Sequence, residues 1–315
     1  MSDARARLWT YVEHPFDPRD EAAAQANRDA RAAAKGAPLG VQARPAFDAK
    51  KMAIAAADGV RVTAARSGGV PGHWCRPRDA LADAAILFLH GGGYVMGTAQ
   101  AFTNFAGQIA ARTGADAFVA DYRLAPEHPF PAALEDAAAA YDGLVEQGAR
   151  RIAVVGDSAG GGLALSLLAR LAGRVEAPHS QPAAAAVMSP WTDLTLSGPS
   201  YVTREQADPV FTREVLQAIA ATYLAGTEPQ NAGASPLFGS LQGLPPIRID
   251  VGDDELVLDD STRYAQRAAA AGTAVSLHVW KGMPHVFQTG IGRFIAAEES
   301  LDGIGSFLRE QLRER

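Results

Sequence analysis

Six short, mostly apolar β-rich runs, at residues 85–89, 117–121, 152–155, 184–188, 247–251 and 276–280, alternate with helix-forming stretches at 99–113, 131–147, 159–171, 260–271 and 294–313. Short apolar strands are buried on both faces, and the helices between them supply the crossovers that parallel pairing requires. The pattern predicts an α/β fold with a mostly parallel central sheet and helices on both faces. A chain of 315 residues, 48% hydrophobic, can bury one large core, so one domain spanning 1–315 is expected.

The rhythm breaks between Pro190 and Pro246, an interval too long for a simple crossover that carries Asp208-Pro209 and a helical pattern at 212–224. An insertion after a strand's carboxyl end falls where open α/β sheets bind ligands. A helical cap is therefore expected from about 195–230 together with about 1–45. In the second segment Asp17-Pro18 opens, and Gly36 closes, an Ala-, Arg- and Glu-rich helix lying outside the sheet. Downstream, residues 52–56 and 61–67 read as strands joined by an Asp58-Gly59 hairpin turn, with a third strand near 73–76.

A formal charge of −6 with no evident basic patch argues against nucleic acid or an anionic membrane as the main partner. The lone Cys75 cannot form an intramolecular disulfide, which fits a reducing compartment, and no helix start follows it to lower its pKa. It reads as a partly buried packing residue. The stretch Met1-Ser2-Asp3-Ala4-Arg5-Ala6-Arg7 lacks a signal-like apolar core, and no run approaches the ~18 apolar residues of a membrane span. A cytoplasmic protein with no membrane partner is expected. No His-Glu-x-x-His, Cys/His cluster or Gly-Lys pair is present, so neither a metal nor an organic cofactor is expected.

Two motifs carry the chemistry. His90-Gly91-Gly92-Gly93 ends one strand in bare backbone, where N–H groups can approach a ligand without a Cβ in the way. Gly156-Asp157-Ser158-Ala159-Gly160 lies at a strand-to-helix turn, the Gly-x-Ser-x-Gly setting that exposes a serine hydroxyl. His90 reads as a residue that orders its loop. A serine needs a base, and in hydrolases with this turn the order along the chain is nucleophile, acid, histidine. His179 precedes any plausible acid and His278 lies within a strand, whereas His285 follows a Lys281-Gly282-Met283-Pro284 turn at the sheet's carboxyl edge. Asp253, Asp254 and Glu255 are consecutive candidates for the acid, and only one can face the histidine. The others, with Asp259 and Asp260, would cap a helix or be solvated.

With Asp121-Tyr122-Arg123-Leu124-Ala125-Pro126-Glu127, Ser189-Pro190-Trp191 and His285, these motifs make the chain resemble the hormone-sensitive-lipase-like bacterial esterases, which carry an HGGG motif on the α/β-hydrolase fold. The family's acid opens a D-P-L-x-D-[DE] stretch. Aligning its later acids on Asp259 and Asp260 puts Glu255 in the acid's place, where Glu255-Leu256-Val257-Leu258 departs from the usual Asp-Pro-Leu, and Asp254 remains the alternative. Glutamate is chemically competent there. The resemblance implies oxyanion donors at Gly92, Gly93 and Ala159, the last agreeing with the residue after the nucleophile.

It also implies hydrolysis of a small-molecule ester, short to medium in chain length, through an acyl-enzyme on Ser158 with His285 as base. Tyr94, Tyr201, Val210, Phe211 and Leu258 are the candidate substrate contacts. A lactonase, an amidase or a non-catalytic ligand-binding homologue remains open, as does a homodimer, since some relatives pair through the last strand.

Overall fold

The structure, a computed structural model, describes residues 9–32, 35–37, 39–174 and 181–313. The Met1–Arg7 stretch, residues 33–34 of the first expected helix and His179 lie outside them. Nine strands form one sheet: β1 (Trp9–His14), β2 (Arg61–Ser67), β3 (Val70–Arg76), β4 (Ala84–Leu89), β5 (Asp116–Ala120), β6 (Arg151–Asp157), β7 (Ala184–Met188), β8 (Ile247–Gly252) and β9 (Val275–Trp280). Their order is β1-β9-β8-β7-β6-β4-β5-β3-β2. The pairs β2–β3 and β3–β5 are antiparallel and the others parallel.

The helices are α1 (Glu21–Ala32), α2 (Arg44–Met52), α3 (Ala99–Thr113), α4 (Ala132–Glu146), α5 (Ala159–Ala172), α6 (Ser200–Thr203), α7 (Arg213–Leu224), α8 (Leu258–Ala270) and α9 (Ile295–Arg313). Successive strand side chains point to opposite faces, so uniformly apolar strands feed two cores. Leu87, Leu89, Val154 and Ile249 pack with Leu134, Leu163 and Leu168 on one face. Ile86, Phe88, Val119 and Val155 pack with Phe105, Ile109 and Leu308 on the other. Each such side chain, fully buried, stabilises the fold by about 1.5–3 kcal/mol. Thr98 starts α3 by accepting from the Ala101 N–H at 3.2 Å, and Gly114 ends it at φ +70°.

The structure corrects the expected strand at 52–56. Met52 instead ends α2, held down by Phe47, whose ring packs against Phe102 of α3 at 6.1 Å. Asp58-Gly59 is a turn leading into β2, not a hairpin turn. The hairpin joins β2 to β3 through Gly68-Gly69, both at positive φ. A Cβ at Gly68 would lie 1.8 Å from the Ala139 carbonyl oxygen, so only glycine fits there. A further strand, β1, lies parallel along β9, with Trp9 opposite Val275 and His14 opposite Trp280, so the last strand is not the sheet edge.

The N-terminal segment and the insertion after β7 meet where Lys35 Nζ donates to the Glu205 carbonyl oxygen. Arg44 of α2 ties the N-terminal segment to the strand ends below. Its guanidinium donates to the Val95 and Ala125 carbonyl oxygens at 2.8 and 3.0 Å and pairs bidentately with Glu127 at 2.7 Å.

Candidate active site

β6 ends at Asp157 and α5 begins at Ala159, leaving Ser158 alone at the turn with φ 54° and ψ −122°. A non-glycine residue held at positive φ is strained, and here the surrounding bonds hold it. The Ser158 N–H donates to the Met188 carbonyl oxygen at 2.8 Å, and its own carbonyl accepts from the Gly162 and Trp191 N–H groups at 3.0 Å. Gly160 is dictated by crowding, since a Cβ there would lie 2.0 Å from the Leu89 carbonyl oxygen. Small residues thus let α5 close against β4 and aim its N-terminus beside Ser158.

Two further loops bring their side chains to that serine. His285, in the loop after β9, has Nε2 2.8 Å from Ser158 Oγ and Nδ1 2.6 Å from Glu255 Oε2. An ionised carboxylate only accepts, so the Nδ1 proton belongs to the ring and Nε2 is left to accept from the serine. Glu255 is wholly buried, and burial raises its pKa against the opposing pull of the His285 ring and the Ser189 hydroxyl. The neighbouring acids face elsewhere. Asp253 accepts from the Gly282 N–H at 2.6 Å and pairs with Lys281 at 3.3 Å. Asp254 has its pKa raised by burial and then by Asp253. Asp259 accepts from the Ser200 N–H, and the buried Asp260 accepts from the Thr192 and Asp193 N–H groups and the Tyr201 hydroxyl. Asp260 is therefore an internal anchor and not a solvated charge.

The glycine loop lies across the same strand ends. Asp157 accepts from the Gly91 N–H at 2.9 Å, joining the two motifs directly. His90 is buried between Tyr122 and Phe102, with ring centroids at 4.3 and 5.1 Å, and burial lowers its pKa. Gly92 sits at φ +128°, where a Cβ would lie 2.2 Å from the Met96 carbonyl oxygen. The amides of Gly92 and Gly93 donate to no other group among the described residues, and the Ala159 N–H opens a helix, where amides lack an intrahelical acceptor.

Of the five candidate substrate contacts, the structure brings Phe211 to His285, its ring edge-on to the imidazole with centroids 5.0 Å apart. The Val210 and Phe211 amides are held by Asp208. Tyr94 is 1% exposed and stacks on Tyr223 of α7 at 3.8 Å. Tyr201 is equally buried, with its hydroxyl committed to Asp260 at 2.9 Å. Leu258 is half-buried at the start of α8. Cys75, expected to be partly buried, is fully buried because both faces of β3 are covered at that position, which pushes its thiol up to about 12.

Residues 86–289 match the α/β hydrolase fold family. The chain belongs to that family. As an α/β hydrolase it is 40% identical over 245 residues to an acetyl-hydrolase of Streptomyces hygroscopicus, covering 77% of this chain and 80% of the relative. It is 35% identical to an esterase of Acinetobacter venetianus, with 79% and 82% covered. A crystal structure of an esterase from the bacterial hormone-sensitive lipase family superimposes with a TM-score of 0.85 at 38% identity, covering 94% of this chain and 99% of that one.

The sequence of this α/β hydrolase displays Asp208-Pro209 and Ser189-Pro190-Trp191 as motifs but assigns no site role to Asp208, Ser189 or Ile219. Asp208 Oδ2 accepts from the Leu256 N–H at 2.9 Å, so one buried carboxylate pins the insertion to the residue after Glu255. The Asp208-Pro209 pair is its only signal in the sequence. Ile219 of α7 overhangs the glycine loop, where a Cβ on Gly93 would come within 2.8 Å of its Cγ2. Among the described residues of the hydrolase, no group of three or more His, Cys, Asp or Glu could hold a metal ion, and no helix is long and apolar enough to cross a membrane.

Proposed function

We propose that this chain is a serine carboxylesterase that cleaves short- to medium-chain esters of small molecules through an acyl-enzyme. The observation that carries the reading is the unbroken hydrogen-bond path from Ser158 Oγ through the His285 ring to the buried Glu255 carboxylate. His285 Nε2 takes the Ser158 proton as Oγ attacks the ester carbonyl. Glu255 keeps the ring in the required tautomer and offsets its developing charge. The Gly92, Gly93 and Ala159 amides receive the oxyanion, in a setting where one lost donor costs about 10²–10³ in rate. His285 then protonates the leaving alcohol, and water repeats the cycle on the acyl-serine. The acetyl-hydrolase and esterase relatives support both the reaction class and a short acyl group.

The test is hydrolysis of p-nitrophenyl acetate and butyrate by wild type and Ser158→Ala. Turnover by the first and none by the second is expected. Wild-type rates from Ser158→Ala would remove the nucleophile, and an inert wild type would favour a ligand-binding protein.

A further inference from the structure

Ser189 directly follows β7 and belongs to the Ser189-Pro190-Trp191 motif, for which the reaction above has no use. It is fully buried and held at φ 47°, and its N–H donates to the Asp250 carbonyl oxygen at 2.8 Å. Its hydroxyl lies 2.9 Å from Glu255 Oε1 and 3.1 Å from the Val286 amide nitrogen. The polarity of both bonds is fixed: an ionised carboxylate cannot donate and an amide N–H cannot accept. The single hydroxyl proton therefore goes to Glu255, and a lone pair takes the N–H of the residue after His285.

We infer that Ser189 is a positioning residue for the triad, aligning Glu255 and the His285 loop through one hydroxyl that touches neither substrate nor the reacting atoms. The inference rests on the esterase reading above. Glutamate has one more rotatable bond than aspartate, so its carboxylate needs more fastening to present a fixed oxygen. Glu255 Oε1 is fastened by two donors, the Ser189 hydroxyl and the Gly252 N–H at 2.6 Å, which turns Oε2 towards His285. Val286, itself at φ 49°, is kept in place by donating its N–H to Ser189 Oγ, which fixes the backbone that carries the ring. The ends of β7, β8 and β9 are thus registered to one another at a buried point behind the site.

The backbone offers a test that separates the hydroxyl from the turn. At φ 47° glycine is easier than serine, so Ser189→Gly removes the hydroxyl while relieving the local strain, whereas Ser189→Ala removes the hydroxyl and keeps the strain. Both are expected to lower kcat for p-nitrophenyl butyrate by at least about tenfold, normalised to sites titrated by a serine-directed phosphonate, with KM changed less than about twofold. Without the donor Glu255 becomes more basic and stabilises the imidazolium, so the acid limb of the kcat/KM profile moves to higher pH. A merely structural residue would lower the titratable fraction and leave that limb where it was.

Ser189→Gly with wild-type kcat and an unmoved limb, beside an inactive Ser158→Ala, overturns this inference alone. Full activity in Ser158→Ala removes the esterase reading and this inference with it.

Discussion

Glu255 presents one carboxylate oxygen to His285 Nδ1 at 2.6 Å and buries the other between a backbone N–H and a serine hydroxyl. Asp254, one residue earlier, is raised in pKa by burial and by Asp253 and has no bond to the ring. The two therefore answer differently to loss of charge. Glu255→Gln should lower kcat by about 10²–10⁴, because the amide can no longer stabilise the imidazolium and can favour the wrong ring tautomer. Asp254→Asn should keep kcat within a few-fold and leave the melting temperature level or slightly higher, since it relieves a like-charge contact. Kinetics on p-nitrophenyl butyrate with thermal melts check both, and a larger loss from Asp254→Asn would sink the assignment.

The glycine loop after β4 tolerates no side chain at Gly92. Gly92→Ala would bring a Cβ to 2.2 Å from the Met96 carbonyl oxygen in a conformation at φ +128°. The loop must shift, and kcat should drop by about 10²–10³, the cost of one misplaced donor. Gly114→Ala is the control. It also sits at positive φ, +70°, but with nothing within 4 Å of the added methyl. It should cost about 1 kcal/mol or somewhat more in stability and leave kcat unchanged. Equal kinetic damage from both would mean that backbone strain, and not the position of the amides, is being measured.

The insertion after β7 reaches the centre at two points, Phe211 against His285 and Ile219 over Gly93. One side chain lies against His285 and the other against the glycine loop, and both should limit the length of the acyl chain. Phe211→Ala and Ile219→Ala are expected to raise kcat/KM for octanoate relative to acetate by about tenfold or more, since each methylene accommodated is worth about 1–3 kcal/mol. The comparison uses p-nitrophenyl esters of two to twelve carbons. An unchanged ratio in both variants would assign chain-length control to other walls.

How far these elements were legible from residues alone depends on the range of the force that sets them. The strand at 184–188 and the helix at 99–113 are read at their observed bounds, because what sets them is local: five consecutive apolar residues in the one, and in the other ends that the structure closes at Thr98 and Gly114. The two glycine motifs are also local, and so is the turn before His285. β1 is not. None of its residues is fully buried and Tyr11 is half-exposed, so only pairing with β9, more than 260 residues later in the chain, makes it a strand. Asp58-Gly59 does form a turn, but only Met52 of the stretch before it is regular, as the end of α2, and residues 53–57 pair with no strand, so the turn joins no hairpin. Glu255 was reached through family likeness, since three adjacent acids differ only in where the folded loop points them.

The β1–β9 seam predicts an acid weakness separate from catalysis. His14 Nε2 lies 3.0 Å from His278 Nδ1, with the His14 ring stacked on Trp280 at 3.6 Å. Burial lowers both pKa values, His278 to about 4, although Asp250 pulls both upward while Arg248 adds to the lowering. A histidine whose pKa is depressed by folding binds its proton more readily when unfolded. Its contribution is therefore whole above about pH 6.5 and is lost as pH falls towards 4. His278 is partly exposed, so the loss after solvent screening is on the order of 1–2 kcal/mol. His278→Gln keeps a hydrogen-bonding partner for His14 but does not titrate. Denaturant unfolding at pH 7 and pH 4.5 should show wild type losing more stability than His278→Gln by that amount, with the other titrating groups cancelling between the two. Parallel losses would show that the half-buried histidine pair carries no acid sensitivity.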